Sequence, residues 1–250
     1  MRWRGAVALA TATLAVGAMA RAQDVERWSV TFETGAAWIG SNDVAIPGDT
    51  GTRFSMASVV GRGARAHFRL SATRALSSHT GLRLVVAPFD VRGTGVLAAP
   101  TQFAGASFAA GTPTRANYKF NSYRLTYWSR AHQDDRSELR VGGTLKIRDA
   151  RVALRQGSTF GEDTDIGPVP LLYLAGDVRF APSWRLALDF DGLAAPQGRA
   201  FDLSLRVERD LGGGGFAFVG YRMLEGGVDN DRVFNFAWVQ YLTAGAGWRL

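Results

Sequence analysis

The 250-residue chain contains no cysteine, which excludes a disulfide framework and any thiolate metal site. Histidine is scarce, at 3 residues, so an imidazole-rich catalytic or metal constellation has little to draw on. Beyond the first twenty or so positions no stretch is apolar for long enough to span a membrane as a helix. Mean hydropathy is −0.04, too low for a helical membrane protein. Lys and Arg are spread through apolar alternation rather than clustered, which argues against nucleic acid as a partner. No G-x-S-x-G elbow and no H-E-x-x-H pair occurs. Gly212 to Gly215 lacks the Lys-Ser/Thr and helix of a phosphate loop, so it reads as a turn. What is abundant is glycine, at 30 residues, and phenylalanine, at 15, a mix that suits strands and tight turns.

The start of the chain reads as an export signal. Met1-Arg2-Trp3-Arg4 is basic, Gly5 to Ala20 is small and apolar, and Ala20-Arg21-Ala22 has the A-x-A form that precedes cleavage. The expected organisation is a signal peptide over 1–22 and one domain over 23–250, with a retained membrane anchor as the competing reading. Loss of Arg2, Arg4 and Arg21 would take the net charge from +7 to 7 − 3 = +4.

Along the rest, side chains alternate with period two and not with helical period. Trp28, Val30, Phe32, Ala36 and Trp38 share one face, and Ser29, Thr31, Glu33 and Gly35 the other. Leu203, Leu205 and Val207 alternate with Asp202, Ser204, Arg206 and Glu208. Ten strands are predicted, near 27–40, 53–75, 80–92, 117–130, 137–155, 168–181, 184–192, 200–211, 215–225 and 232–250. Gly61-Arg62-Gly63 interrupts the second, as a bend in one long strand or as a true turn. Every second connection is short: 77–80, 131–136, 181–183 and 212–215. Between them, 41–52, 93–116 and 156–167 are long, and 193–199 and 226–231 intermediate. That rhythm predicts an all-β, antiparallel up-and-down transmembrane barrel, with short periplasmic turns and longer outer loops.

Alternation does not by itself tell a membrane barrel from a soluble one such as a lipocalin. Aromatics at strand ends on the apolar face favour the membrane: Trp28, Tyr127, Trp184 and Trp248 at one end, Trp38 and Trp238 toward the other. The final strand carries Trp248 and Leu250 on one face. These features resemble Gram-negative outer-membrane β-barrel proteins, although the terminal residue of that pattern is usually Phe. The resemblance covers the whole expected mature chain at the level of architecture. It implies outer-membrane lipids and lipopolysaccharide as surroundings, assembly machinery during biogenesis, an outer-membrane location and a monomeric barrel. It implies no cofactor.

With the apolar face toward lipid, the polar face fills the lumen. Glu33, Arg69, Arg83, Arg124, Lys146, Arg148, Asp177, Arg179, Asp189, Asp191, Arg206, Glu208 and Arg222 are expected there. A barrel of about ten strands is narrow, so these charges form either a paired plug or a narrow, anion-favouring path. A hydrolase is a rival reading, because omptin proteases are ten-stranded with carboxylates and a His at the outer rim. Here His79 and His132 fall in predicted periplasmic turns, and His67 lies within the second strand beside Arg69 and Ser71. The pair Asp189 and Asp191 shares its face with Arg185, which favours an ion network over an acid–base pair. Acidic outer segments (Asp43, Asp49, Glu162-Asp163-Thr164-Asp165, Asp229, Asp231) could attract a divalent ion or serve adhesion, but lack EF-hand spacing.

Overall fold

The computed structural model describes residues 28–250, so the segment read as an export signal, 1–22, lies outside the described residues. The alternating stretches become β1 (Trp28–Ala45), β2 (Phe54–Ser55), β3 (Arg65–Ala75), β4 (Thr80–Ala87) and β5 (Asp90–Val96), with a short helix α1 (Met56–Val60) after β2. A small hairpin follows, β6 (Thr101–Phe103) and β7 (Ala106–Phe108). Then come β8 (Pro113–Gln133), β9 (Ser137–Gln156), β10 (Thr159–Ala181), β11 (Trp184–Ala195), β12 (Gly198–Gly212), β13 (Gly215–Asp229) and β14 (Phe234–Arg249). Wall strands pair antiparallel in chain order, and β14 returns to β1 from Ser29↔Arg249 to Ala45↔Phe234. β4 and β5 both pair with β8 and share one wall position. The result is a closed barrel of ten strands.

Four tight connections gather at one end, after Ala75, Gln133, Ala181 and Gly212, as the sequence predicts. The opposite end differs from expectation in three ways. First, 53–75 is not one strand. Ser55 caps α1, its hydroxyl accepting from the Ser58 amide at 3.4 Å, and Gly61 ends the helix at φ 87°. Second, 156–167 is not a loop. β9 and β10 continue outward and turn at Gly157-Ser158, while their outer faces are held by polar pairs: Lys119 with Asp149 and Arg151 with Glu162, both at 2.6 Å. A sheet that pairs its own charges in this way can stand above the bilayer in water. Third, most of 93–116 is ordered by β5 and by the β6–β7 hairpin. Its central Ala104 and Gly105 both have positive φ, the condition for a tight two-residue turn.

Exposure fixes the orientation. Leu84, Leu125 and Leu145 stand side by side across β4, β8 and β9 and are 46–56% exposed, while Arg124 is 3% and Asp191 0% exposed. A soluble fold would invert that order. Trp28, Trp184 and Trp248 sit exposed at the tight-turn end, with Tyr127 on the same outer face; Trp238 is exposed and Trp38 half-buried toward the other end. Trp128 is the inward exception, packed on Tyr173 and Ala175. Leu145→Arg is expected to lower unfolding free energy by about 2–4 kcal/mol, as for a cation near the bilayer midplane. Urea titration in lipid vesicles reads this; an unchanged midpoint would mean Leu145 does not face lipid.

Candidate functional site: an ion-paired lumen below an outward cavity

The inward positions of the wall meet at mid-barrel. Arg83 on β4 donates to Asp189 at 2.7 Å and to Asp191 at 2.6 Å, both on β11. Arg124 on β8 reaches Asp191 at 2.7 Å and Asp202, on β12, at 2.5 Å. Arg69 on β3 donates to Asp202 at 3.1 Å, and Arg222 on β13 joins Asp202 at 2.5 Å to Glu33, on β1, at 2.9 Å. Thr144 donates to Asp191 at 2.6 Å, and the Arg83 guanidinium lies 4.2 Å over the Tyr173 ring. Buried ions are costly unless charge and hydrogen bonds are matched together. Here the Arg69, Arg83 and Arg124 pairs run between facing walls, so one arrangement satisfies their charges and fixes the strands' relative position.

The other expected lumen residues separate by height. Toward the tight-turn end, Arg206 and Arg249 hold Glu208 at 2.7 and 2.5 Å, and Arg185 holds Asp177 at 3.3 Å. Toward the outer end, Arg148 pairs with Asp165. Lys146 is buried but forms no ion pair with a described carboxylate; its ammonium lies 4.4 Å over the Phe120 ring. Arg179 does not join the set. It is exposed beside the turn, where its amide donates to the Arg136 carbonyl at 2.7 Å. Sequence reasoning omitted the residue at the centre, Asp202, although it lies on the same face as Arg206 and Glu208. In the register it stands opposite Asp191. Two facing carboxylates need cations between them, a signal readable only once the register is known.

The outer half of the lumen is not charged throughout, contrary to expectation. α1 and the β6–β7 hairpin turn inward and bury Met56, Val59, Leu97, Phe103 and Phe108 against Ile39, Val91, Leu154 and Val239. This apolar plug occupies the side near β1, β5 and β8. Beside it, facing β9 to β13, lies a cavity of about 520 Å³. Its floor is Arg124, Lys146, Asp191 and Asp202; its walls include Leu171, Leu193 and Leu224; its mouth lies near Asp163, Asn230 and Arg232 at the outer turns.

The histidines are dispersed. His67 is buried against Tyr241, its Nε2 3.8 Å from Glu33, while His79 and His132 lie at the tight-turn end. Among the described residues no cluster of metal-ligating side chains forms, and the acidic outer residues Glu162 and Asp165 are engaged by Arg151 and Arg148.

Closure, antiparallel order and the apolar exterior define a transmembrane barrel of the Gram-negative outer-membrane type, and the outer membrane is its location. Among solved structures, the chain is similar to the outer membrane protease OmpT of Escherichia coli, with TM-score 0.52 and 9% identity over 90% of this chain and 97% of that one. The outer membrane protein AlkL, solved in lipid bilayers, matches at TM-score 0.38 and 13% identity over 95% and 97% of the two chains. The attachment invasion locus protein Ail of Yersinia pestis matches at 0.36 and 11%, over 90% and 99%. No protein-family model and no curated protein matches the sequence. At these identities the likeness is one of fold.

Proposed function

We propose that the protein is a closed outer-membrane barrel rather than a through pore: a monomeric wall, set among outer-membrane lipids and lipopolysaccharide, that offers a binding cavity to the outside. The observation that carries this reading is the bridging of facing walls by Arg83, Arg124 and Arg69 with Asp189, Asp191 and Asp202, with Arg222 tying Asp202 to Glu33. An ion crossing this layer would have to replace hydrogen bonds of 2.5–3.1 Å in a narrow interior. The wall's tight-turn end adds a further layer, where Trp128, Tyr173, Phe216 and Phe218 are buried. A hydrolase finds less support, because two of the three histidines lie at the end away from the cavity mouth.

Planar-bilayer recording tests the reading. The purified barrel is expected to insert, shown by heat-modifiable migration, and to give no discrete current steps. Regular steps from the unmodified protein would replace the closed barrel with a pore.

A further inference from the structure

We propose that the outward cavity binds a monoanionic carboxylate with an apolar body, its head on Lys146 and its body along the leucine-lined wall. This rests on the lumen being closed beneath the cavity. The first ground is a charge count at mid-barrel. The carboxylates of Glu33, Asp189, Asp191 and Asp202 are matched one for one by the guanidiniums of Arg69, Arg83, Arg124 and Arg222. Lys146 is a fifth cation at the same level, 3% exposed. It sits across from Arg124 in the register and next but one to Arg148, both already ion-paired, so neither neighbour offers it a counter-charge. Asp202 has three guanidiniums upon it and Asp191 two, and neither pairs with the lysine. A buried ammonium without a counterion is unfavourable, and one anion entering from outside would complete the set.

The second ground is the shape and chemistry of the space above. A volume of about 520 Å³ falls within the range of cavities that hold small organic ligands. Leu171, Leu193 and Leu224 face it, together with Phe120, whose ring already lies against the lysine. Leu193 is 36% exposed on the cavity's own lining, an apolar surface left for an apolar partner. An inorganic anion would satisfy the charge and leave those leucines wet. An uncharged hydrocarbon would do the reverse. Only a ligand with both parts answers both features. The mouth residues Arg232 and Arg148, the latter held by Asp165, would meet the ligand first.

Octanoate is the probe, with acetate and octan-1-ol as the two half-ligands. Binding is measured by calorimetry on the protein in lipid nanodiscs, with empty nanodiscs subtracted for partitioning. Octanoate is expected to bind at least tenfold more tightly than either half-ligand. Lys146→Met should reduce octanoate affinity at least tenfold, and Lys146→Arg should keep most of it. Stability supplies a second readout. Octanoate should raise the urea midpoint of the unmodified protein and not of Lys146→Met. Without ligand, Lys146→Met should unfold at the same or higher urea, because it removes an unmatched charge. Octanoate binding indifferent to Lys146→Met, acetate binding equal to octanoate, or a midpoint that falls in Lys146→Met would each overturn the proposal. The same preparations are recorded in planar bilayers. Current steps alongside Lys146-dependent binding would remove the closed-barrel reading and leave the carboxylate site; silence with no binding would do the opposite.

Discussion

Asp202→Ala is expected to cost the barrel about 3–5 kcal/mol, the usual penalty for removing one partner from a buried ionic set. Asp202 accepts from Arg69, Arg124 and Arg222, which reach it from three different strands. Arg124 keeps Asp191 and Arg222 keeps Glu33 when the carboxylate is gone, but Arg69 has no other described ion-pair partner. The loss therefore concentrates on Arg69. Asp202→Ala combined with Arg69→Met should recover a substantial part of it, a coupling that a double-mutant cycle measures directly. Tryptophan fluorescence in urea, on protein reconstituted in vesicles, gives the four free energies. A penalty below about 1 kcal/mol for Asp202→Ala would mean that water solvates the layer, against the estimate for a dry ionic pair.

The wall was legible in the sequence, because period-two alternation and the tight turns after Ala75, Gln133, Ala181 and Gly212 are local signals. Most of the network could be named from the polar face alone. The interior architecture could not. Phe54 to Val60 reads as a strand, and five residues are too few to show helical period. What makes it a helix is the Ser55 cap, the break at Gly61 and burial against β5. The outer halves of β9 and β10 carry charges on both faces, at Arg151, Glu162, Asp163 and Asp165. Their strand character depends on pairing with each other and not on an apolar stripe. The cavity was beyond reach for a similar reason, since it is the space left beside a plug whose position is tertiary.

Gly93→Val is expected to dislodge that plug. Gly93 lies on the inner face of β5, and a Cβ there would stand 2.1 Å from the Val60 carbonyl oxygen and 2.6 Å from its Cα. Gly95 is similarly close to Val59, with a Cβ at 2.7 Å from that carbonyl oxygen. Backbone atoms cannot yield as the end of a flexible side chain would, so α1 must lift. Lifting it uncovers Met56, Val59 and Val60, all buried in the native packing. At roughly 1.5–3 kcal/mol for each large apolar side chain returned to water, several kcal/mol of local stability goes with it. The barrel wall should survive, since β5 keeps its pairing with β8 from Asp90↔Lys119 to Val96↔Pro113. The predicted result is protease cleavage near α1 at rates well above the unmodified protein, with heat-modifiable migration retained. Equal resistance of the two proteins would show that α1 does not depend on Gly93.

The seam between the first and last strands has a consequence for how the molecule is made. Glu33 enters with the earliest wall strand, yet the guanidinium that grips it arrives with Arg222, 189 residues later. Such distant partnerships are slow to form, because the intervening chain must be ordered first. Zippering the wall shut and pairing Glu33 thus become a single late event, and a half-assembled barrel would carry that acid without its Arg222 partner. That gives the protein an internal check on completion: Glu33 finds its guanidinium only in the finished circle.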